Sequence, residues 1–407
     1  MTTTPELELP LSLSGQWENA LFLSYGLDLP FFERTILPNL PGTCRNRILL
    51  GDEKTYLGSC DHFAESGLVR YANRQYVAEP ILRRPSSHAK LILLTSGEAG
   101  WLAVGSGNVS MQGFASGGEM FTAYTYTAED AADIAEFVAV RELMERFRDN
   151  DLLTRTAAWH VDRLLEGSPW LFQSPTGESR VRHNLDTSFL DQFSAAAAGD
   201  HVEHLWVLAP FFDAEAAALR GLIGRLRPDL TTVLVQPGRT SVDPAALTRL
   251  AAGSDLALEV RSVTRPDDAW IHAKLFVAQT ASAALCLQGS ANASIAALRL
   301  TDPGGNFEMA NLLRGARDAF DDVFDGVHIG DPVADLGSLD LSYQSSEDHD
   351  ALAETGWQLT GAEWSGRSLR ISYRGRLPSA TGLQVLVRGT LLSAELVEEG
   401  PPLVLEF

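Results

Sequence analysis

Two copies of one short motif contain the residues of this sequence that are best suited to catalysis. In each copy a histidine and a lysine, one residue apart, are followed after fourteen residues by Gly-Ser-x-Asn. The copies place these side chains at His88, Lys90, Ser106 and Asn108, and at His272, Lys274, Ser290 and Asn292. Chance recurrence of five residues at fixed spacing has a probability on the order of one in a million per position. The repeat therefore indicates a duplicated functional unit.

The residue types of this motif suit phosphoryl chemistry. A spacing of two places histidine and lysine on the same face of a strand. If the copies pack around a pseudo-two-fold axis, the ammonium and amide groups can hold the oxygens of a phosphodiester and the added charge of its transition state. An imidazole titrates near neutral pH, so one histidine can attack while its protonated twin acts as an acid. Such a site needs no metal and no other cofactor.

The paired motifs resemble those of the phospholipase D superfamily, over residues 15–330. The resemblance implies that one histidine attacks phosphorus to form a phosphohistidine. The other histidine then protonates the leaving oxygen and activates water or an alcohol. The lysines and asparagines would hold the phosphoryl oxygens, with Ser106 and Ser290 as further substrate-binding residues. Family habit favours His88 as the nucleophile.

The family also places an acidic residue after the asparagine turn, where it hydrogen-bonds a catalytic histidine and fixes its tautomer. Glu119 and Glu308 each follow a Gly-Gly pair and match this position, although surface glutamates are an alternative interpretation. One feature departs from the family pattern, since Thr95 and Gln279 replace its usual aspartate. Members resembling the tyrosyl-DNA phosphodiesterases also lack that aspartate and remain active. The departure therefore argues against the typical phospholipases more than against catalysis.

Alternating strand and helix patterns precede the second motif. Apolar runs indicate strands at 204–212, 230–237 and 256–263, and helical spacing indicates helices at 213–226 and 243–252. This order predicts a mostly parallel sheet with helices on both faces.

The first half repeats this pattern loosely. Strands are predicted at the start of 20–40, at 46–52 and at 67–73, and helices within 128–166. The last segments alternate apolar and polar residues with period two, which predicts an antiparallel β-domain. We expect an α/β protein made of two homologous phospholipase D-like halves, with mixed, mostly parallel sheets flanked by helices, plus a small C-terminal β-domain. The predicted domains are 1–170, 171–335 and 336–407.

Composition excludes several classes of protein. No apolar run reaches the roughly 18–20 residues of a membrane span, and the first residues lack the basic and apolar regions of a secretory signal. Three scattered cysteines cannot form a disulfide framework. Cys60 and His62 with Cys44 are a weak metal candidate that lacks a fourth ligand. We expect a cytoplasmic protein with reduced thiols, no metal and no membrane association.

The net charge of -21 argues against a protein that coats nucleic acid over its whole surface. Residues 68–93 are an exception, since they carry five basic side chains against one acidic residue. Because this segment leads into the first motif, we interpret Arg83 and Arg84 as substrate-binding residues on an anion-binding rim. A solvated strand edge is the alternative interpretation.

Three functions compete. A metal-independent nuclease or nucleic-acid phosphodiesterase is favoured, with DNA preferred over RNA as substrate. The resemblance extends to bacterial relatives that act in defence against foreign DNA beside a helicase or translocase partner. A phospholipid hydrolase or phosphatidyl transferase would need an apolar mouth, for which Trp101, Met111, Phe114 and Trp270 are candidates. A non-catalytic scaffold is the third alternative, and the intact motifs in both halves argue against it.

Overall fold

Two mixed sheets with related strand orders form the body of the protein. The computed structural model describes residues 15–64, 67–83, 85–115, 118–175, 177–253, 257–266, 268–344, 358–374, 385–387, 390–392, 395–398 and 403–406. The predicted α/β class, the mixed sheets, the two halves and the small C-terminal β-domain are confirmed. The expectation that the sheets are mostly parallel is wrong, because each sheet has two parallel strand pairs and the other pairs are antiparallel.

The first half contains a six-stranded sheet. Its strands are β1 (Asn19–Ser24), β2 (Asn46–Asp52), β3 (Val77–Ile81), β4 (Leu91–Thr95), β5 (Ala99–Gly105) and β6 (Phe121–Thr127). They lie in the order β3-β2-β1-β4-β5-β6, with β1, β2 and β3 parallel and the rest antiparallel to their neighbours. The helices are α1 (Leu29–Phe31), α2 (Glu53–Ala64), α3 (Met111–Ala115), α4 (Ile134–Asp149) and α5 (Arg155–Glu166).

The second half contains an eight-stranded sheet in the order β14-β10-β9-β8-β11-β12-β13-β7. Its strands are β7 (Val181–His183), β8 (Val202–Leu208), β9 (Leu230–Val235), β10 (Ala257–Thr264), β11 (Lys274–Thr280), β12 (Ala283–Gly289), β13 (Met309–Ala316) and β14 (His328–Pro332). The helices are α6 (Phe189–Ala196), α7 (Ala217–Leu226) and α8 (Pro244–Ala252). Shorter helical turns in the two halves span Phe32–Ile36, Leu37–Asn39, Pro169–Phe172, Ile295–Arg299, Asp321–Phe324 and Leu336–Ser338.

The two sheets correspond strand for strand. The order β3-β2-β1-β4-β5-β6 is repeated as β10-β9-β8-β11-β12-β13. The register also agrees: Leu23 pairs with Leu91, and Leu208 pairs with Leu275, each partner being the residue after a motif lysine. The duplication visible in the motifs is therefore a duplication of the whole sheet.

Residues 67–73 do not form the strand that their apolar pattern predicts. The buried carboxylate of Glu33 accepts hydrogen bonds from the backbone N–H groups of Arg70, Tyr71 and Ala72 at 2.7–3.0 Å. These groups are therefore unavailable to a strand ladder, and β3 begins after them.

Helices cover the sheets through apolar stripes. Helix α5 begins after Thr154, whose Oγ1 accepts a hydrogen bond from the N–H of Ala157 at 3.2 Å, as an N-cap does. It buries Val161, Leu164 and Leu165, which share one face at helical spacing. Among the described residues, no helix is long and apolar enough to cross a membrane.

The C-terminal region forms small antiparallel sheets. Its strands are β15 (Gln358–Ser365), β16 (Ser368–Arg374), β17 (Val385–Val387), β18 (Thr390–Leu392), β19 (Glu395–Glu398) and β20 (Leu403–Glu406). Four of them lie in the order β15-β16-β20-β19, and β17 pairs with β18. Before this region, residues 336–344 contact the second half, where Gly238 N donates to Asp340 O at 2.6 Å.

Candidate active site

Each histidine segment is attached to the opposite half of the molecule. His88 N donates to Phe307 O, and His272 N donates to Gly118 O, both at 2.7 Å. These two acceptors occupy equivalent positions, each preceding a predicted acidic residue. The histidines lie just before β4 and β11 rather than inside the strands, because their backbones bond across the interface. The two motifs therefore meet in one site, as expected of a pseudo-two-fold duplication.

The glycine at this interface has no room for a side chain. A Cβ atom built on Gly118 would lie 1.7 Å from the carbonyl oxygen of Trp270. The close approach lets the Gly118 carbonyl accept from both His272 N and Ala273 N. Glycine at this position thus fixes the backbone of the second motif.

A buried polar network joins the sheets behind the site. Thr122 Oγ1 donates to Gln288 Oε1 at 3.0 Å, and Tyr124 OH donates to Asn311 Oδ1 at 2.9 Å. Asn311 Nδ2 in turn donates to Gln288 Oε1 at 2.7 Å. Because a network of satisfied buried groups rigidifies its surroundings, this contact holds the two halves in register.

The two glutamates bind histidines across the interface. His88 Nδ1 lies 3.0 Å from Glu308 Oε2, and His272 Nδ1 lies 2.6 Å from Glu119 Oε1. Each imidazole thus takes its carboxylate from the other half. An ionised carboxylate only accepts hydrogen bonds, so each Nδ1 carries the proton and each Nε2 carries a lone pair. The sequence identified both carboxylates but not their crossed pairing.

Burial and nearby charges have opposing effects on the pKa values of Glu119 and Glu308. Burial would raise the pKa of Glu119, but the charge and hydrogen bond of His272 and the charge of Lys274 outweigh it and hold the pKa at about 2. The pKa of Glu308 is lowered in the same way by His88 and Lys90, against the effect of burial. Both carboxylates are therefore ionised at neutral pH.

Burial has the reverse effect on the histidines. It lowers the pKa of His272 to about 4, with Lys274 and Lys90 adding to the shift and Glu119 opposing it. The pKa of His88 is likewise lowered by burial, against the charge of Glu308. Both imidazoles are therefore neutral at pH 7 in the free protein.

Both motif lysines are fully buried. Lys90 Nζ donates to His88 O, and Lys274 Nζ donates to His272 O, each at 2.6 Å. Lys274 Nζ also lies 2.9 Å from His272 Nε2. Burial lowers the pKa of Lys90 to about 7 and that of Lys274 to about 8, although both glutamates oppose the shift. Both lysines therefore titrate close to neutral pH. A bound anion favours the protonated, charged form of each lysine.

The motif asparagines are held differently in the two halves. Asn108 Oδ1 accepts hydrogen bonds from Gly26 N at 3.3 Å and from Ser24 Oγ at 3.4 Å. These contacts do not use the amide N–H₂ group of Asn108. Asn292 Oδ1 is buried and has no hydrogen-bond partner among the described residues. The pseudo-symmetry of the site is therefore incomplete.

The motif serines lie behind the glutamates, not in a position to bind substrate. Ser106 and Ser290 have no exposed surface. Ser290 Oγ donates to Glu308 Oε2 and accepts from the backbone N–H of Met309 at 3.1 Å. Ser106 Oγ accepts from Met120 N at 3.0 Å. The predicted substrate-binding role of these serines is replaced by one in positioning the carboxylates.

Sequence reasoning missed a pair of supporting residues at the ends of β2 and β9. Asp52 Oδ2 accepts from Ser87 N at 2.9 Å, and Gln236 Oε1 accepts from Ile271 N at 2.8 Å. Each acceptor thus fixes the residue directly before a motif histidine. Their equivalent positions at two strand ends could have identified them. However, aspartate and glutamine are different residue types, so a comparison of the two copies for identical residues does not detect the pair.

Arg83, predicted to lie on an anion-binding rim, is buried. Arg83 is 4% exposed and donates to Ser86 O at 2.9 Å, Asp302 Oδ1 at 2.7 Å and Gly305 O at 2.9 Å. It therefore connects the two halves and does not bind substrate. Arg84 lies outside the described residues.

Other candidate sites carry less chemistry. Among the described residues, no three histidine, cysteine or acidic side chains are arranged to hold a metal ion, and Cys44 is buried. A cavity of about 730 Å³ lies beside α4 and contains none of the motif residues. Two of its arginines already form ion pairs, Arg146 with Asp186 and Arg182 with Glu178.

Comparison with known proteins identifies the fold. No family model matches the chain, and no curated protein matches it. The structure of yeast tyrosyl-DNA phosphodiesterase is 10% identical and aligns over 75% of this chain and 84% of that chain, with a TM-score of 0.50. A mutant of that yeast enzyme is 9% identical, with the same coverage and a TM-score of 0.46. Polyphosphate kinase from Porphyromonas gingivalis is 12% identical over 76% of this chain and 46% of that chain, with a TM-score of 0.40.

The similarity to the first of these structures shows that the chain has the two-half fold of a tyrosyl-DNA phosphodiesterase. The fold expected from the phospholipase D resemblance is therefore confirmed.

Proposed function

We propose that this protein is a phosphodiesterase that cleaves nucleic acid through a phosphohistidine intermediate. The crossed pairs His88–Glu308 and His272–Glu119 carry this proposal. They supply two neutral imidazoles of fixed tautomer, and Lys90 and Lys274 supply buried positive charge beside them. This combination provides a nucleophile, an acid and stabilisation of a phosphorane without a further group.

In the first step, His88 Nε2 attacks phosphorus, and its Nδ1 proton stays on the ring in a hydrogen bond to the ionised Glu308, which stabilises the resulting phosphoimidazolium. His88 is proposed as the attacking residue on the habit of the family that the motifs resemble. The bound phosphodiester anion raises the pKa of His272, so that this residue takes up a proton and delivers it to the leaving oxygen.

In the second step, His272 removes a proton from water, and the hydroxide attacks phosphorus and releases His88. The lysines and the amide groups of Asn108 and Asn292 hold the non-bridging oxygens in both steps. Atoms and charges balance, because the proton that left with the alcohol is replaced by one from water.

Nucleic acid is the substrate that we propose, with DNA preferred. The fold similarity to yeast tyrosyl-DNA phosphodiesterase supports this choice. A net charge of -21 gives weak attraction to DNA, and we propose that a helicase or translocase partner delivers the strand. We also propose that the protein acts in the cytoplasm, in defence against foreign DNA.

The apolar residues that a lipid hydrolase would use do not favour that alternative. Trp101 is buried in the core, and Met111 and Phe114 pack against the same core. Trp270 lies beside His272.

A cleavage assay in excess EDTA tests the proposal. Labelled single- and double-stranded DNA, RNA and a short-chain phosphatidylcholine would be incubated with wild type, His88→Ala and His272→Ala. The control is His201→Ala, an exposed histidine that pairs with Asp229. Nucleic-acid turnover that is lost in both motif variants and kept in the control is expected. Choline release, or turnover in either motif variant, would contradict the proposal.

A further inference from the structure

The two sides of the candidate active site differ at equivalent positions. Leu23 and Leu208 are equivalent by register, so Gly26 corresponds to Phe211, three residues further on. Ser86 and Trp270 are also equivalent, since each lies two residues before a motif histidine. One half therefore has glycine and serine where the other has two large aromatic rings.

These rings surround the second histidine. The ring centroids of Trp270 and His272 are 4.6 Å apart. The Phe211 ring lies 5.8 Å from Trp270 and 5.9 Å from His272, at steep interplanar angles. On the other side, the described residues place the Tyr25 ring near the histidine, with its centroid 4.9 Å from that of His88.

The Trp270 side chain combines an accessible ring with an unpartnered donor. The residue is partly exposed, but its Nε1 atom is buried and has no hydrogen-bond partner among the described residues. A buried indole N–H normally has an acceptor. Trp270 thus offers a ligand a partly exposed side chain next to the imidazole that acts on the leaving oxygen, and its indole N–H lacks an acceptor.

We propose that Trp270 and Phe211 form a subsite for a nucleobase adjacent to the scissile phosphate, on the His272 side. This inference rests on the proposed phosphodiesterase function and deepens it. A nucleobase has a π face for stacking and acceptor atoms on its edge for the indole N–H, and stacking on aromatic side chains tolerates every base. Since the described residues include no matching pair of rings beside His88, the subsite fixes the direction of the strand across the two histidines.

A short DNA with one cleavable linkage tests this subsite. All other linkages are methylphosphonates, and an abasic residue replaces the nucleotide on either the 5′ or the 3′ side of the scissile phosphate. The quantity measured is kcat/KM for wild type, Trp270→Leu, Trp270→Phe and the matched control Tyr25→Leu. Thermal unfolding of each variant verifies that it is folded.

For wild type, we expect loss of the base on one side to lower kcat/KM by about fivefold to hundredfold, the range that one stacked base contributes. Loss of the base on the other side should have little effect. Trp270→Leu should cleave the intact and abasic substrates equally, whereas Trp270→Phe and Tyr25→Leu should still discriminate between them.

Two results would overturn the subsite while the proposed function stands. One is wild-type cleavage that ignores base removal on both sides, and the other is undiminished discrimination by Trp270→Leu. Absence of wild-type cleavage of every nucleic-acid substrate would instead overturn the proposed function, and this inference with it.

Discussion

Replacing Glu308 by Gln should impair catalysis without disturbing the fold. The carboxylate is fully buried and receives hydrogen bonds from His88 Nδ1 at 3.0 Å and from Ser290 Oγ. Glutamine keeps the shape and one acceptor oxygen but removes the charge that stabilises the imidazolium formed on attack. A hydrogen bond to a charged group contributes about 1.5–3 kcal/mol, against about 1 kcal/mol for a neutral one. Adding the lost long-range attraction, kcat/KM should fall by about tenfold to hundredfold.

The pH dependence separates this role from a merely structural one. The charge of Glu308 raises the pKa of Lys90, so its removal should move the alkaline limb of the kcat/KM profile to lower pH. The assay is steady-state cleavage of a labelled oligonucleotide across the pH range. Glu142→Gln, at an exposed residue paired with Arg141, is the control. Wild-type kcat/KM with an unmoved limb in folded Glu308→Gln would refute the reasoning.

Further predictions come from the buried lysines, from Gly118 and from Arg83. In wild type, kcat/KM should fall as pH rises through about 7 to 8, because Lys90 and Lys274 lose the protons that attract the phosphodiester; a flat alkaline limb would contradict this. Over the same pH range the two lysines should add to the free energy of unfolding. The reason is that they lose their protons in the folded protein but keep them in the unfolded chain. Gly118→Ala should abolish cleavage and lower the unfolding temperature, because its Cβ would collide with the Trp270 carbonyl at 1.7 Å; normal activity would show that the crossed backbone contact is dispensable. Arg83→Met should destabilise the protein by at least about 2 kcal/mol in urea unfolding, because three acceptors lose a buried donor; an unchanged midpoint would contradict its connecting role.

Local sequence patterns predicted the strands and helices well where the residues of a segment determine its own secondary structure. The apolar runs and helical spacing before His272 correspond to β8, α7, β9, α8 and β10. The prediction failed at 67–73, because a distant carboxylate, Glu33, binds the backbone that a strand would use. No pattern within that segment reports such a contact.

The candidate site was predictable in its residue types but not in its connections. The repeated spacing identifies the histidines and lysines, since duplication preserves local sequence. Crossed pairing of Glu308 with His88 depends on how the two sheets pack, which spacing does not encode. The same packing buries Arg83 between the halves, although a pair of arginines before a motif is typical of a substrate-binding rim.

Trapping the covalent intermediate tests the central claim most directly. A nucleotide p-nitrophenyl ester has a leaving group that needs no proton, so His272→Ala should still form the phosphohistidine but hydrolyse it slowly. We expect a burst of about one p-nitrophenol per protein and a matching mass adduct on the peptide that contains His88. Steady release without a burst or an adduct, or a burst that persists in His88→Ala, would contradict it.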